Sequence, residues 1–285
     1  MEYTASNKRL SFRVSQTGAE LMSLYDHVKS RELIWQGFPD VWAGRCPLLF
    51  PVVGKLKDDR YTVSEQSYTM VKHGFARRSD FTLSRQNGAI LALTLTDTPS
   101  TRSCYPFAFR LTVAYALRGA RLHILHTVYN PSSDETLPFS IGAHPGFNAA
   151  LGDSIIFDKA EEPLAYRLGD DKLLAPKPER VPLDGNVLVL TKDLFIKDAL
   201  IFQNPCSRSL TLHSKNAGDI LKVDWYGAPV LGIWAKPGAP YVCVEPWHGI
   251  DDTTDVSGNL TEKPRVILLP PGESFQFPLT VTVCP

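Results

Sequence analysis

The sequence predicts an all-β chain folded as two packed, twisted sheets. Three observations carry that expectation. Short runs rich in Val, Ile, Leu, Thr, Tyr and Phe recur at roughly 8 to 12 residue spacing, a pattern of sandwiches and barrels. Turn formers, 19 glycines and 22 prolines, are spread along the whole length. Helical periodicity is nearly absent.

The elements follow in chain order. Leu10–Val14 (LSFRV) alternates with period two, as does Ile90–Thr96 (ILALTLT). Phe109–Leu117 and Leu122–Tyr129 are longer strands, and Arg118-Gly119-Ala120 between them reads as a hairpin loop. Ser154–Phe157, Val187–Leu190, Leu210–His213, Ile220–Trp225, Val230–Trp234, Tyr241–Glu245 and Phe275–Val283 complete the strand set. Thr191–Asp198 reads as one short helix or turn, with Thr191 as a possible N-cap. The Pro-rich segment 172–182 (KLLAPKPERVP) reads as a surface loop, not a domain boundary. Without a linker or a regular repeat, residues 1–285 are expected to form one domain.

Composition narrows the function. Thirty Lys and Arg balance 30 Asp and Glu, so charge gives no support to a nucleic-acid or membrane-surface binder. No stretch approaches the ~18 to 20 continuous apolar residues of a membrane span. The start, MEYTASNKRLSFRV, lacks the pattern of a secretory signal. Five scattered cysteines with no CxxC suggest reduced thiols and a cytoplasmic address, each thiol a small buried hydrophobe. No GxGxxG, P-loop, HExxH or GxSxG is present, which removes weight from dinucleotide, NTPase, zincin and α/β-hydrolase chemistry.

Five segments break the strand pattern: 42–55 (WAGRCPLLFPVVGK), 72–78 (KHGFARR), 141–148 (IGAHPGFN), 233–236 (IWAK) and 244–251 (VEPWHGID). Proline cannot donate to a sheet ladder, so these should be strand ends, edges or bulges. Local rules tend to break where function sets the sequence. His27, His123, His126 and His213 lie outside these segments, and His123 and His126 face opposite sides of one strand.

KHGFAR, IGAHPGF and VEPWHGID, in that order, resemble the aldose 1-epimerase (galactose mutarotase-like) family, most of all its bacterial LacX-like branch. The resemblance spans the chain, from RCPLLFPVVGKL to the closing strand after PPGESF. It implies a large antiparallel β-sandwich with a sugar held on the concave face of one sheet. It also implies interconversion of α and β anomers of a hexose.

Anomerisation removes a proton from the C1 hydroxyl and adds one to the ring oxygen. The ring opens, C1 rotates, and closure reverses the roles. One base and one acid suffice, so no cofactor and no metal is expected. By motif position Glu245 matches the family's base, His144 its general acid at the ring oxygen, and His73 the second histidine on the sugar. Trp234 and Trp247 flank Glu245 as candidate platforms for apolar sugar faces, and Trp42 precedes Arg45. Arg45 and Lys55 are candidate hydroxyl contacts, although the Asn-Arg pair of galactose mutarotases is absent near Lys55. Arg77 lies in the HGFAR segment shared with hexose-6-phosphate epimerases, where it helps hold phosphate; Arg45 and Arg78 are further candidates for that role. The Arg-Gly-Gly setting of those enzymes is replaced by Gly44-Arg45-Cys46, which favours an unphosphorylated sugar. Asp251 is a weaker contact candidate, Asp252 is expected to cap a turn, and His248, three positions past Glu245, is a weak candidate either to orient Glu245 or to line the rim.

The expected partner is a small-molecule sugar or sugar phosphate, the expected assembly a monomer or homodimer. The competing reading is a carbohydrate-binding or sensing protein that has lost turnover. Such a binder would need the aromatic platform but not the acid–base set.

Overall fold

The computed structural model describes residues 1–285. Antiparallel strands dominate it. A ten-stranded sheet runs in the order Leu183–Asp184, Val187–Val189, Ser154–Phe157, Ser209–Ser214, Gly218–Asp224, Ser274–Val283, Arg121–Tyr129, Arg110–Arg118, Ile90–Thr96 and Thr82–Asn87. A six-stranded sheet contains Leu200–Gln203, Val230–Trp234, Tyr241–His248, Ile141–Ala143 and Leu48–Leu49, with Gly146–Asn148 also paired to Tyr241–His248. The first strands, from Glu2–Ser6 to Arg31–Glu32, form a separate four-stranded sheet.

Period-two side chains explain the packing. Arg110–Arg118 and Arg121–Tyr129 pair along nine residues each and bury alternate positions. Their inward residues, Leu111, Val113, Leu122 and Ile124, join one core of 67 buried residues with Leu231, Ile233, Val242 and Val244 of the six-stranded sheet. The sheets thus share an apolar interior, as in a sandwich.

Each strand expected from the sequence is present, most with ends shifted by one or two residues. Thr191–Asp198 is a run of turns, and Thr191 caps no helix. Arg167 explains this: its guanidinium takes the Leu194 and Asp198 carbonyls at 3.1 and 2.8 Å, so those oxygens are bonded to a side chain. The α-helix that does form is Pro99–Cys104, opened by a capping box in which Thr98 and Thr101 bond each other's backbone amides. Segment 172–182 is a loop, but Leu173 and Leu174 are buried and Glu179–Arg180 pairs with Leu164–Ala165.

Proline gives a more consequential correction. Pro246 lies within Tyr241–His248, a strand with neighbours on both sides. It is tolerated because one neighbour is broken there. Ile141 and Gly142 pair with His248 and Trp247, Gly146 pairs with Cys243, and the chain between them loses regular pairing at His144, with only the Pro145 carbonyl still accepting from the Val244 amide at 3.0 Å. The interruption sits where His144 and Glu245 face each other.

Two glycines make room beside that break. A Cβ on Gly142 would stand 2.6 Å from Trp247 Cδ1, and one on Gly232 would stand 2.9 Å from Trp247 Cζ2. The Trp247 indole therefore lies across the bare backbone of both flanking strands. Gly142→Val should destabilise the fold by about 1–3 kcal/mol through overpacking, read as a lower urea midpoint with unchanged slope.

Candidate active site

Strand alternation sends Val242 and Val244 into the large core, and Glu245 and Trp247 to opposite faces of Tyr241–His248 from their immediate neighbours. Glu245 enters a cleft of about 250 Å³ lined by Trp42, Lys72, His73, Arg77, His144, Asp198, Trp234, Trp247 and Asp251, with Pro47, Leu168, Ala199 and Ile201. A second cleft of about 240 Å³ near Ser257 holds only one buried ion pair, Asp252 with Lys263, whose charges already satisfy each other.

His144 and Glu245 are in direct contact, Nε2 to Oε2, at 3.2 Å. The carboxylate is 2% exposed and the imidazole 12%. Trp42 stacks on His144 with ring centres 5.2 Å apart, and Trp234 meets the same imidazole edge-on at 5.9 Å. These rings fix the plane of the imidazole and exclude water from its faces.

His73 is placed by backbone. It follows Lys72 in a turn where His73 and Gly74 both take left-handed conformations, φ 67° and 70°. A Cβ on Gly74 would collide with the Phe50 carbonyl, so only glycine fits there. The Gly54 amide donates to His73 Nδ1 at 3.1 Å, and the His73 amide donates to the Gly54 carbonyl at 2.9 Å. Nδ1 is an acceptor, so the neutral ring carries its proton on Nε2. Burial, then the nearby charges of Lys72, His144 and Arg77, push its pKa well below the usual histidine range. His73 is therefore a fixed neutral donor. The cost of a left-handed non-glycine residue, on the order of 1–3 kcal/mol, is borne at the point where this donor is set.

Asp251 is held by the same corner. Its Oδ1 accepts from the Lys55 amide at 2.7 Å, and a Cβ on Gly54 would collide with its carboxyl. Asp252 does not cap a turn. It is buried and paired with Lys263 at 2.5 Å, and Lys263 also donates to the Ile250 carbonyl at 2.7 Å. Asp252 Oδ2 accepts from the Lys57 amide at 3.0 Å. This buried clamp replaces the expected turn and fixes the chain on both sides of Asp251.

Arg45 and Lys55 do not line the cleft. The Arg45 guanidinium packs against the turn at Gly37, where a Cβ would stand 2.9 Å from its Cζ. The Lys55 ammonium bonds the Asp171 carbonyl at 3.1 Å, near the surface. Each instead contributes backbone: Arg45 O accepts from Gly146, and Lys55 N binds Asp251. Arg78 is exposed. His248 lies outside the cleft, packed edge-on to Phe275 and Phe277.

Lys72 and Asp198 line the cleft without having been singled out in the sequence. Lys72 stands beside His73 in KHGFAR, a signal that was legible. Asp198 ends the run of turns after Val189 and carried none.

Electrostatics divide the pair. Burial pushes the Glu245 pKa well above the usual carboxylate range; Asp251 and Asp198 add to that, and the Lys72 ammonium opposes it. Burial pushes His144 down to about 3, with Lys72 and Arg77 contributing. Both shifts disfavour charge in a site closed to water.

The aldose 1-epimerase family profile matches residues 1–282. The chain belongs to the aldose 1-epimerase family. It is thus an isomerase of the carbohydrate epimerase type, with the galactose mutarotase-like sandwich. It is similar to the plasmid-encoded protein LacX of Lactococcus lactis subsp. lactis, 29% identical over 99% of each chain. Among solved structures it is similar to a galactose mutarotase related enzyme from Lactobacillus acidophilus, at 32% identity and a TM-score of 0.92, covering 100% of this chain and 98% of that one. A galactose mutarotase-like protein from Lactobacillus casei ATCC 334 gives a TM-score of 0.93 at 29% identity, with both chains fully covered.

A raised pKa in the fold has a stability sign. Glu245 binds its proton more tightly folded than unfolded. Its contribution is complete below the unfolded value of ~4.3 and is lost as pH rises through the folded one. Glu245→Gln removes that loss. The variant should melt above the parent at pH 8, and the gap should shrink toward pH 4, measured by calorimetry.

His126, His144 and His248 run the other way, held down to about 4, about 3 and about 4 by burial. The unfolded chain takes up protons that the fold refuses. In Glu245→Gln, where the opposing carboxylate is gone, the histidine contribution should therefore fall as pH drops from ~6.5 to about 4, visible as a lower urea midpoint at each step.

Proposed function

We propose that this protein interconverts the α and β anomers of a hexose, with Glu245 as base at the C1 hydroxyl, His144 as acid at the ring oxygen, and His73 as a fixed donor to the sugar. The observation that carries the reading is the 3.2 Å contact between His144 Nε2 and Glu245 Oε2 inside the cleft. The C1 hydroxyl and the ring oxygen are bonded to the same carbon. An acid and a base within a hydrogen bond of each other can serve both oxygens at once.

Proton bookkeeping supports it. In its working state the pair holds one transferable proton. His144 gives it to the ring oxygen as Glu245 takes the proton of the C1 hydroxyl, and the C1–O5 bond breaks. The pair then carries its proton on Glu245, and ring closure returns it. The pair's net charge is the same before and after, which suits a buried site. The Lys72 ammonium favours the carboxylate form of Glu245 that starts the cycle.

The cleft is smaller than the ~300–1,000 Å³ of typical drug-sized ligand sites, which favours a single sugar ring. Trp42, Trp234 and Trp247 supply apolar surface for its CH faces. Trp247 Nε1 is buried with no hydrogen bond of ordinary geometry, and the Glu245 carboxyl is close enough for this N–H to favour its charged form. All five cysteines are free, which supports a reducing, cytoplasmic setting.

A sugar phosphate is the second reading, favoured by the two cations Lys72 and Arg77 at the cleft. Comparing kcat/KM for galactose and glucose with that for their 6-phosphates decides between the two.

Polarimetry on freshly dissolved α-glucose and α-galactose, or NMR anomer exchange, tests the activity. Glu245→Gln should lower kcat by about 10²- to 10⁴-fold with the fold intact. No acceleration of any sugar or sugar phosphate by the wild type would leave the binding-only reading.

The pH–rate profile should be bell-shaped, because only the singly protonated pair works. Its acid limb reports Glu245 and its partner taking a second proton. Lys72→Met removes a charge that favours the carboxylate, so the acid limb should move to higher pH. An unmoved limb would show that Lys72 does not act on the pair.

A further inference from the structure

Cys243 is a buried ligating group that proton transfer leaves unused. It precedes Glu245 by two positions on Tyr241–His248, so both side chains leave the same face of the strand. It pairs with Gly146, just past the break that carries His144. One ligand atom from each of His144, Cys243 and Glu245 lies within 4.8 Å of the others. Cys243 is fully buried and Glu245 is 2% exposed, so neither is a surface group in chance proximity.

The donor set is specific. Imidazole nitrogen, thiolate sulfur and carboxylate oxygen together suit a borderline cation of the zinc type. Magnesium and calcium take oxygen ligands and gain nothing from sulfur. Three protein ligands leave a fourth tetrahedral position, which here opens to the cleft through His144 and Glu245.

We propose that His144, Cys243 and Glu245 form a binding site for Zn²⁺ or a similar ion, and that its occupation switches anomerisation off. The metal takes the lone pairs through which His144 and Glu245 exchange their proton. Binding releases that proton and the thiol proton to the buffer, with no change of oxidation state. Zinc and sugar turnover then exclude each other at one pair of side chains. The site itself stands on the donor geometry alone; its inhibitory effect rests on the acid–base reading above.

Cobalt reports the site without any assay of turnover. Chelator-treated protein titrated with Co²⁺ should develop a thiolate-to-cobalt charge-transfer band and four-coordinate visible absorption, saturating at one equivalent and erased by Zn²⁺. Cys243→Ser and Cys243→Ala, two variants so that one folding failure does not end the test, should lose the band and weaken zinc binding at least tenfold. Cys206→Ser, at an exposed thiol, should keep both. In anomer-exchange assays Zn²⁺ should inhibit the wild type reversibly with EDTA, and should inhibit the Cys243 variants at least tenfold less well. Both Cys243 variants should keep the wild-type rate in chelator. A cobalt spectrum without the charge-transfer band, or equal zinc affinity in the Cys243 variants, would overturn the site. A normal cobalt spectrum with no turnover of any sugar would instead count against the anomerisation reading and leave the metal site standing.

Discussion

The site depends on keeping one carboxylate and one imidazole in contact while both are hidden from water. In bulk solvent these groups would ionise independently. Here burial raises one pKa and lowers the other, so a net charge on the pair is costly, while a single proton held between the two groups leaves the pair with none. The surrounding structure serves that condition. Trp42 and Trp234 close on His144, Trp247 lies across two glycines beside Glu245, and Lys72 offsets part of the burial of the carboxylate.

The sheet creates the contact by failing at one place. An uninterrupted neighbour beside Tyr241–His248 would point its side chains up and down in register and leave no gap. The break at His144-Pro145 interrupts the regular pairing opposite Val244 to Pro246, where the Pro145 carbonyl still accepts from the Val244 amide at 3.0 Å. Both prolines are accommodated there, since neither has an amide to offer. A second irregularity, the left-handed pair His73-Gly74, brings the other histidine in from a distant loop. Gly54 then ties that loop to Asp251, and the buried Lys263–Asp252 pair holds the far side of Asp251. Breaking such a buried pair from one side leaves an uncompensated charge, so the clamp resists drift of the chain around the site.

The legible parts were those with a local signature. Alternating runs gave the long strands, because a half-buried strand must repeat every two residues. Segments that mixed His, Pro, Gly and aromatics inside that alternation marked His73, His144 and Glu245. Asp198 gave no sign, since it reaches the cleft from a run of turns with no period. Arg45 and Lys55 were misplaced for the same reason in reverse: their segment does reach the site, but it does so through backbone amides and carbonyls, which every residue possesses.

Residue order alone determined the strand count in outline, the family resemblance and the chemical kinds of group on offer. Tertiary structure decided which of them meet. It set the tautomer of His73 through a glycine amide, put a lysine beside a carboxylate, and set a thiol against the His144–Glu245 pair. The reason is physical: hydrophobic periodicity is a property of neighbours along the chain, whereas pKa, tautomer and ligand geometry are set by neighbours in space. Those neighbours are chosen by sheet register, and no single segment encodes it.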